Sequence, residues 1–157
     1  VINDVLGFLD KEAEYRAIKI NLNFENKIHF IESDKGKLQQ ILLNLINNAF
    51  AAMSNNGILN IFVIQINENE IQIIIEDNGC GIPPENISKI FDPFFTTKQD
   101  LGGSGLGLSI TYTLIQELGG SILVDSQVNV GTKFKIILPI KFQNNHFIGQ
   151  ENESIIS

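Results

Sequence analysis

Apolar residues along this chain recur at two spacings, and the switches between them divide it into elements. Ile2, Val5, Leu6, Leu9 and Ala13 repeat at helical intervals, which predicts an amphipathic helix over residues 1 to about 16. Val1 offers no capping side chain, so this helix is expected to continue one begun upstream. From Ile18 to Phe24 (IKINLNF) the pattern alternates and reads as a strand, with Ile28 to Ile31 as a short partner strand. Ser33 or Asp34 can cap the next helix, which runs to about Met53. Alternation returns over Ile58 to Ile66 and Glu70 to Glu76, on either side of the turn-prone Asn67-Glu68-Asn69. That pair is expected to form an antiparallel hairpin with Ile and Phe on its buried face. Pro83 and Pro84 introduce a short helix ending near Phe91. A further helix spans Gly105 to Leu118 and stops at Gly119-Gly120, a left-handed C-cap. Ser121 to Gln127 and Thr132 to Pro139 complete the strands. The expected class is α+β, a two-layer α/β sandwich with helices on one face of a mixed, mostly antiparallel sheet. From Gln143 the chain is polar and rich in Asn, Gln, Glu and Ser, as in a linker or disordered tail.

Composition narrows the possibilities further. A length of 157 residues with 43% apolar content suits one domain with an ordinary core. No apolar run approaches the roughly 18 residues of a membrane helix. The start shows neither a basic stretch nor a cleavage site, so no secretory signal is expected. A single cysteine excludes a disulfide framework and a thiolate zinc site, and fits a reducing compartment. The formal charge of −7 argues against nucleic acid as a partner.

Four stretches carry candidate chemistry. On the long helix, Leu38, Ile41, Leu42, Leu45, Ala49, Ala52 and Met53 form one apolar stripe, with Asn44 and Asn48 stacked at its edge. Their amide oxygens suit a hard cation such as Mg²⁺, though two solvated helix asparagines would look the same in isolation. Asp77 ends the apolar strand IQIIIED and enters the turn of DNGCGI, Asp77 to Ile82. A carboxylate there can accept from an adenine amino group, while Gly79 and Gly81 let a flat base approach the backbone. An ordinary hairpin turn is the plain alternative. Cys80 has no identifiable base beside it and reads as a pocket-wall residue. GGSGLGLS, Gly102 to Ser109, opens a helix, whose free N–H groups and dipole favour phosphate, although a Gly-rich stretch can also be a simple loop. It is neither a Walker A loop nor a dinucleotide fingerprint. Between these lies IFDPFFTTK, Ile90 to Lys98, whose phenylalanines could simply pack in the core.

Taken in order and spacing, LLNLINNAFAA, DNGCGI, IFDPFFTTK and GGSGLGLS resemble the ATP-binding domain of bacterial sensor histidine kinases. The resemblance covers residues 15 to 140 and is greatest to the nitrogen-regulatory type. It implies the Bergerat-type ATP-binding fold shared by gyrase, heat-shock chaperones and mismatch-repair ATPases. It also implies a division into 1–16, the end of a helix from a preceding dimerisation domain, 17–142, the catalytic domain, and 143–157, a polar tail or linker.

The resemblance assigns roles residue by residue. Asn48 matches the metal-binding asparagine, and Asn44 its polar neighbour, a catalytic candidate together with Lys98. Asp77 would take the adenine, with Gly79, Gly81 and Ile82 shaping the base pocket. Phe95, Thr96, Thr97 and Lys98 would belong to a lid over the nucleotide, with Lys98 reaching the terminal phosphates. Gly103, Ser104, Gly105, Leu106, Gly107 and Leu108 would line the phosphates, Ser104 replacing a common threonine. The implied cofactors are ATP and Mg²⁺. The implied function is to present the γ-phosphate to a histidine on a separate dimerisation domain, for onward transfer to a response-regulator aspartate. The implied partners are those two domains, with no nucleic acid; the intact protein would be a homodimer and this chain a monomer. The domain would be cytoplasmic, the intact protein either cytoplasmic or anchored in the inner membrane.

Other functions compete. ATP-hydrolysing relatives carry a glutamate base at the position of Asn44, and an amide cannot take a proton from water. A nucleotide sensor or a Ser/Thr kinase acting on an anti-sigma antagonist is a second alternative. A structural interaction domain would not need all four motifs. His29, in the apolar segment IHFI, and His146, in the polar tail, do not resemble phosphoacceptors, which need an exposed imidazole on a helix.

Overall fold

A computed structural model describes residues 1–25, 34–95 and 107–140. The described elements are α1 (Ile2–Tyr15), β1 (Lys19–Phe24), α2 (Lys35–Met53), β2 (Ile58–Asn67), β3 (Glu70–Asp77), α3 (Pro84–Ile87), α4 (Gly107–Glu117), β4 (Ser121–Gln127) and β5 (Gly131–Pro139). The strands form one sheet in the order β1-β2-β3-β5-β4. Only the β1–β2 pair is parallel; the other three pairs are antiparallel. The expected mixed sheet under a helical layer is therefore present.

Strand alternation decides what faces the helices. Leu59, Ile61 and Val63 of β2, Ile71, Ile73 and Ile75 of β3, and Phe134, Ile136 and Leu138 of β5 are all buried. Each such side chain contributes roughly 1.5–3 kcal/mol when fully buried. Against them lie Leu38, Ile41, Leu42, Leu45, Ile46, Ala49 and Phe50 of α2. α1 joins the same core through Ile2, Val5, Leu9 and Ala13.

Several expectations change in detail. Phe62 is not on the buried face of the hairpin. With Leu59, Ile61 and Val63 turned inward, a period of two sends Phe62 to the opposite face, where it is half-buried. The helix after Pro84 ends at Ile87, not near Phe91. The chain continues through i→i+3 turns, Lys89 N–H to the Asn86 carbonyl at 2.9 Å and Asp92 N–H to Lys89 at 3.0 Å. Asp92 precedes Pro93, and a residue before proline is pushed out of the helical region. β1 pairs with β2 across the α2 crossover; the partner strand expected at Ile28 to Ile31 lies outside the described residues.

The helix ends follow the sequence closely. Asp34 caps α2, accepting from the Lys37 N–H at 3.1 Å. At the end of α4, Gly120 N–H reaches the Ile115 carbonyl at 2.9 Å and Gly119 N–H the Gln116 carbonyl at 3.0 Å. This is the Schellman arrangement expected of the Gly-Gly pair. Among the described residues no helix is long and apolar enough to cross a membrane.

Candidate functional site

Helix α2 is the rail on which the candidate site is assembled. Asn44 and Asn48 lie one turn apart on it, both half-buried where its apolar stripe ends. α4 runs antiparallel beside it, tied at one end by Lys37 Nζ to Glu117 Oε2 at 3.2 Å. Near the other end, Asn44 Nδ2 donates to the Gly107 carbonyl and to Thr111 Oγ1, each at 3.2 Å. Asn44 Oδ1 accepts from Gln40 Nε2 at 2.8 Å, and Thr111 Oγ1 donates to the Gly107 carbonyl at 2.8 Å. The asparagine expected to serve catalysis thus joins α2 to the first turn of α4.

The opposite end of α2 meets the DNG turn. The Ala52 carbonyl accepts from Cys80 N–H at 3.0 Å. A Cβ on Gly79 would come within 2.6 Å of that same oxygen, so only glycine allows this approach. From Asn44 to Ala52 the helix advances about 12 Å, a span suited to an extended nucleoside triphosphate. Asn48 lies midway.

Asp77 ends β3 with its carboxylate on the helix side of the sheet, only 5% exposed. Its Oδ1 accepts from Gly79 N–H at 2.8 Å, which shapes the turn. Gly81 adopts φ +74, and the Gln127 carbonyl fills the space a side chain would need. Asn129 N–H then donates to the Cys80 carbonyl at 2.8 Å, holding the turn against the β4–β5 connection. Cys80 itself is exposed beside it.

A polar cluster adjoins the carboxylate. Ile82 N–H donates to Ser126 Oγ at 2.8 Å, and Ser126 Oγ donates to the Gly131 carbonyl at 3.0 Å. Thr132 Oγ1 lies 2.8 Å from Ser126 Oγ, so with the serine proton on Gly131 the threonine is the donor. Thr132 is buried and stands directly across from Asp77 in the β3–β5 register. An open cleft beside this cluster is bordered by Asp77, Ser126 and Thr132 together with Asn60, Glu76 and Lys133. By strand alternation the side chains of Asn60, Glu76 and Lys133 point from the opposite face of the sheet to that of Asp77.

The segment expected to lead into a lid is described as far as Phe95. Phe91 packs on the core, and its ring lies 5.4 Å from that of Tyr112 on α4. Phe94 is exposed with φ +66, and Phe95 returns to pack on the core. Leu108 also packs on the core, whereas a Cβ on Gly107 would meet nothing within 4 Å among the described residues. Thr96, Thr97, Lys98, Gly103, Ser104, Gly105 and Leu106 lie outside the described residues, as do His29 and His146.

Two residues of the site escape motif reading, Thr111 and Ser126, while Thr132 is expected from its resemblance to the family's closing hairpin only as a structural threonine. Ser126 and Thr132 occupy inward slots otherwise filled by Ile122, Val124, Phe134 and Ile136. A small hydroxyl residue at an apolar-phase position was the available signal. Thr111 has the same signature on α4, where it is fully buried.

The donor set is compatible with magnesium. Among the described residues no group of three or more His, Cys, Asp or Glu could hold a metal ion. Magnesium needs few protein ligands when phosphate and water supply the others, and a half-buried amide oxygen is one such ligand.

Residues 33–141 match the family described as histidine kinase-, DNA gyrase B- and HSP90-like ATPase. Among curated relatives, the signal transduction histidine-protein kinase AtoS of Escherichia coli (strain K12) is 42% identical, over 94% of this chain and 24% of its own length. Sporulation kinase A of Bacillus subtilis (strain 168) is 36% identical, over 90% of this chain and 23% of its own length. The chain thus spans about a quarter of these relatives. Among solved structures, a nucleotide-free catalytic domain of histidine kinase ThkA superposes with a TM-score of 0.78 at 32% identity, covering 88% of this chain and 91% of that one. Full-length ShkA in complex with AMPPNP gives 0.79 at 28% identity, covering 88% of this chain and 29% of that one. ThkA in complex with the response regulator protein TrrA gives 0.76 at 29% identity, covering 89% and 39%.

Proposed function

This chain belongs to the histidine kinase-, DNA gyrase B- and HSP90-like ATPase family, with the fold of a histidine-kinase catalytic domain, and from that premise we propose that it holds Mg-ATP for a two-component sensor kinase. The whole protein would pass the γ-phosphate to a histidine on a separate dimerisation domain, and then to an aspartate of a response regulator. The observation that carries this reading is the α2 rail. A buried carboxylate and glycine turn meet one end of the helix, the start of α4 meets the other, and an amide of metal-ligand type lies between.

Asp77 would accept from the adenine amino group. A carboxylate offers about four acceptor sites, so the bond from Gly79 does not preclude another from the base. Gly79, Gly81 and Ile82 would form the pocket around it. Asn48 would hold the magnesium, which supplies charge neutralisation to the phosphates when bound. The phosphates would lie toward Gly107 and Leu108, with Gly103, Ser104, Gly105 and Leu106 preceding them. Phe95, Thr96, Thr97 and Lys98 would contribute the lid, Lys98 being the cation for the terminal phosphates. Catalysis would be positioning and charge neutralisation, as in phosphoryl transfer generally.

Residues 1–16 would end a helix of the dimerisation domain, 17–142 the catalytic domain and 143–157 a tail. The core contact of α1 with α2 would then give that domain a firm attachment. The intact protein would be a homodimer, this chain a monomer. The domain would work in the cytoplasm, whether the intact protein is cytoplasmic or anchored in the inner membrane.

Reconstitution tests this reading. Incubated alone with radiolabelled Mg-ATP, the chain should acquire no acid-labile label; adding a separately produced dimerisation domain with its histidine should label that domain. Label on this chain alone, lost on replacing His29 or His146, would overturn the divided arrangement.

A further inference from the structure

Thr111 lies in the middle of α4, carries a hydroxyl and is fully buried. A threonine in a helix commonly bonds the carbonyl four residues back, and two on α4 do so. Thr113 Oγ1 donates to Ser109 at 3.1 Å on the exposed side, and Thr111 Oγ1 to Gly107 at 2.8 Å. The two differ in what else they touch. Thr111 Oγ1 also accepts from Asn44 Nδ2 at 3.2 Å, and the Gly107 carbonyl receives both that amide and the hydroxyl. Gln40 fixes the amide from behind, its Nε2 donating to Asn44 Oδ1 at 2.8 Å. Asn44 therefore has one orientation, oxygen toward Gln40 and nitrogen toward α4. A ring of two side chains and one carbonyl, braced by Gln40, bridges two helices at the first turn of α4.

We propose that Thr111 is a positioning residue for the phosphates: with Asn44 and Gln40 it latches the first turn of α4 to α2 and so fixes where the helix N-terminus meets the nucleotide. The inference rests on the ATP-binding reading above and deepens it. Helix N-terminal N–H groups bind anions only when their direction is set, since the interaction decays within the first turn. Apolar packing of Ile115 and Leu108 holds α4 against the core but permits small axial shifts, whereas hydrogen bonds of fixed geometry resist them. The Asn44–Thr111 contact also locates Asn44 away from water chemistry: its nitrogen is engaged with α4.

The latch acts only on the phosphate end, which makes it separable from the base site. Thr111→Val keeps the shape and removes the hydroxyl, while Asn44 Nδ2 and the Gly107 carbonyl retain each other, so the fold should survive. Calorimetry on the whole chain should show Mg-ATP binding weakened about three- to tenfold, the worth of one net hydrogen bond, with adenosine binding changed by less than about twofold. Thr111→Ser should restore ATP binding, and Thr113→Val, the exposed counterpart, should leave both ligands unaffected. Equal loss for ATP and adenosine, or no loss for either, would overturn the latch. If the unaltered chain binds neither ligand, the ATP-binding reading itself fails.

Discussion

Replacing Asp77 with asparagine isolates the base contact from the turn that carries it. Alanine would remove the acceptor for Gly79 N–H, a 2.8 Å bond that shapes the DNG turn, and so would mix loss of binding with loss of structure. Asparagine keeps a carbonyl oxygen for Gly79 and converts the second oxygen into an NH₂ donor. Toward adenine, that donor faces another donor. The lost bond is charge-assisted and, with Asp77 only 5% exposed, shielded from water. Such bonds contribute about 1.5–3 kcal/mol, so Asp77→Asn should weaken ATP binding by roughly 10- to 150-fold. Titration calorimetry with ATP and GTP on both proteins provides the measurement, with urea denaturation as the control for folding. The unaltered chain should prefer ATP, because the 6-oxo group of guanine presents an acceptor to an acceptor. In the variant that preference should shrink or invert, since NH₂ can donate to the oxo group. A folded Asp77→Asn variant that binds ATP within about twofold of the unaltered chain would refute the assignment.

Three further outcomes follow from the same geometry. Asn48→Ala should reduce the magnesium-dependent part of ATP affinity by about tenfold or more, a loss that even outer-shell metal partners produce, and binding compared with and without EDTA will reveal it. Gly107→Ala meets nothing within 4 Å among the described residues, so it should leave the denaturation midpoint unchanged or raise it, while phosphate-dependent nucleotide binding falls; unchanged binding would move the phosphates elsewhere. Gly81→Ala sets a side chain at φ +74 against the Gln127 carbonyl and should destabilise the fold by about 1–3 kcal/mol, read as a lower midpoint in urea.

Much of the fold was legible because its signals are local. Asp34 before α2, Gly119-Gly120 after α4 and the Asn67 to Asn69 turn each act on groups within six residues, and each stands where expected. The parallel pairing of β1 with β2 was not legible, since it joins segments separated by the whole of α2. Nor was the face of Phe62, because a run as apolar as ILNIFVIQI gives two plausible phases and only the packed sheet selects one. Of the candidate site, the Asp77 turn and the two asparagines stood out through motif order and family resemblance, because residue chemistry alone fits an ordinary turn and solvated helix asparagines equally well. The partners of Asn44 did not: Gly107 and Thr111 lie 63 and 67 positions away in sequence. Ser126 was hidden for a similar reason, since a hydroxyl in an inward slot acquires meaning only once Ile82 and Thr132 are beside it.

The use of Asn44 as a bridge bears on the proposed role, in which the domain would hold ATP without spending it on water. Hydrolysis needs a group that takes a proton from the attacking water, and an amide has no basic site near neutral pH. Asn44 instead supplies donors to Gly107 and Thr111, and its oxygen is taken by Gln40. A carboxylate at this position could accept from Gln40 but would set a second acceptor against the Gly107 carbonyl, opening the seam between α2 and α4. On that reading asparagine does two things through one side chain: it closes the α2–α4 helix pair, and it would withhold a base from the phosphates that the pair would position. A site organised in this way is suited to deliver its phosphoryl group to a nucleophile brought from outside, which is the division of labour proposed for the histidine on a separate domain.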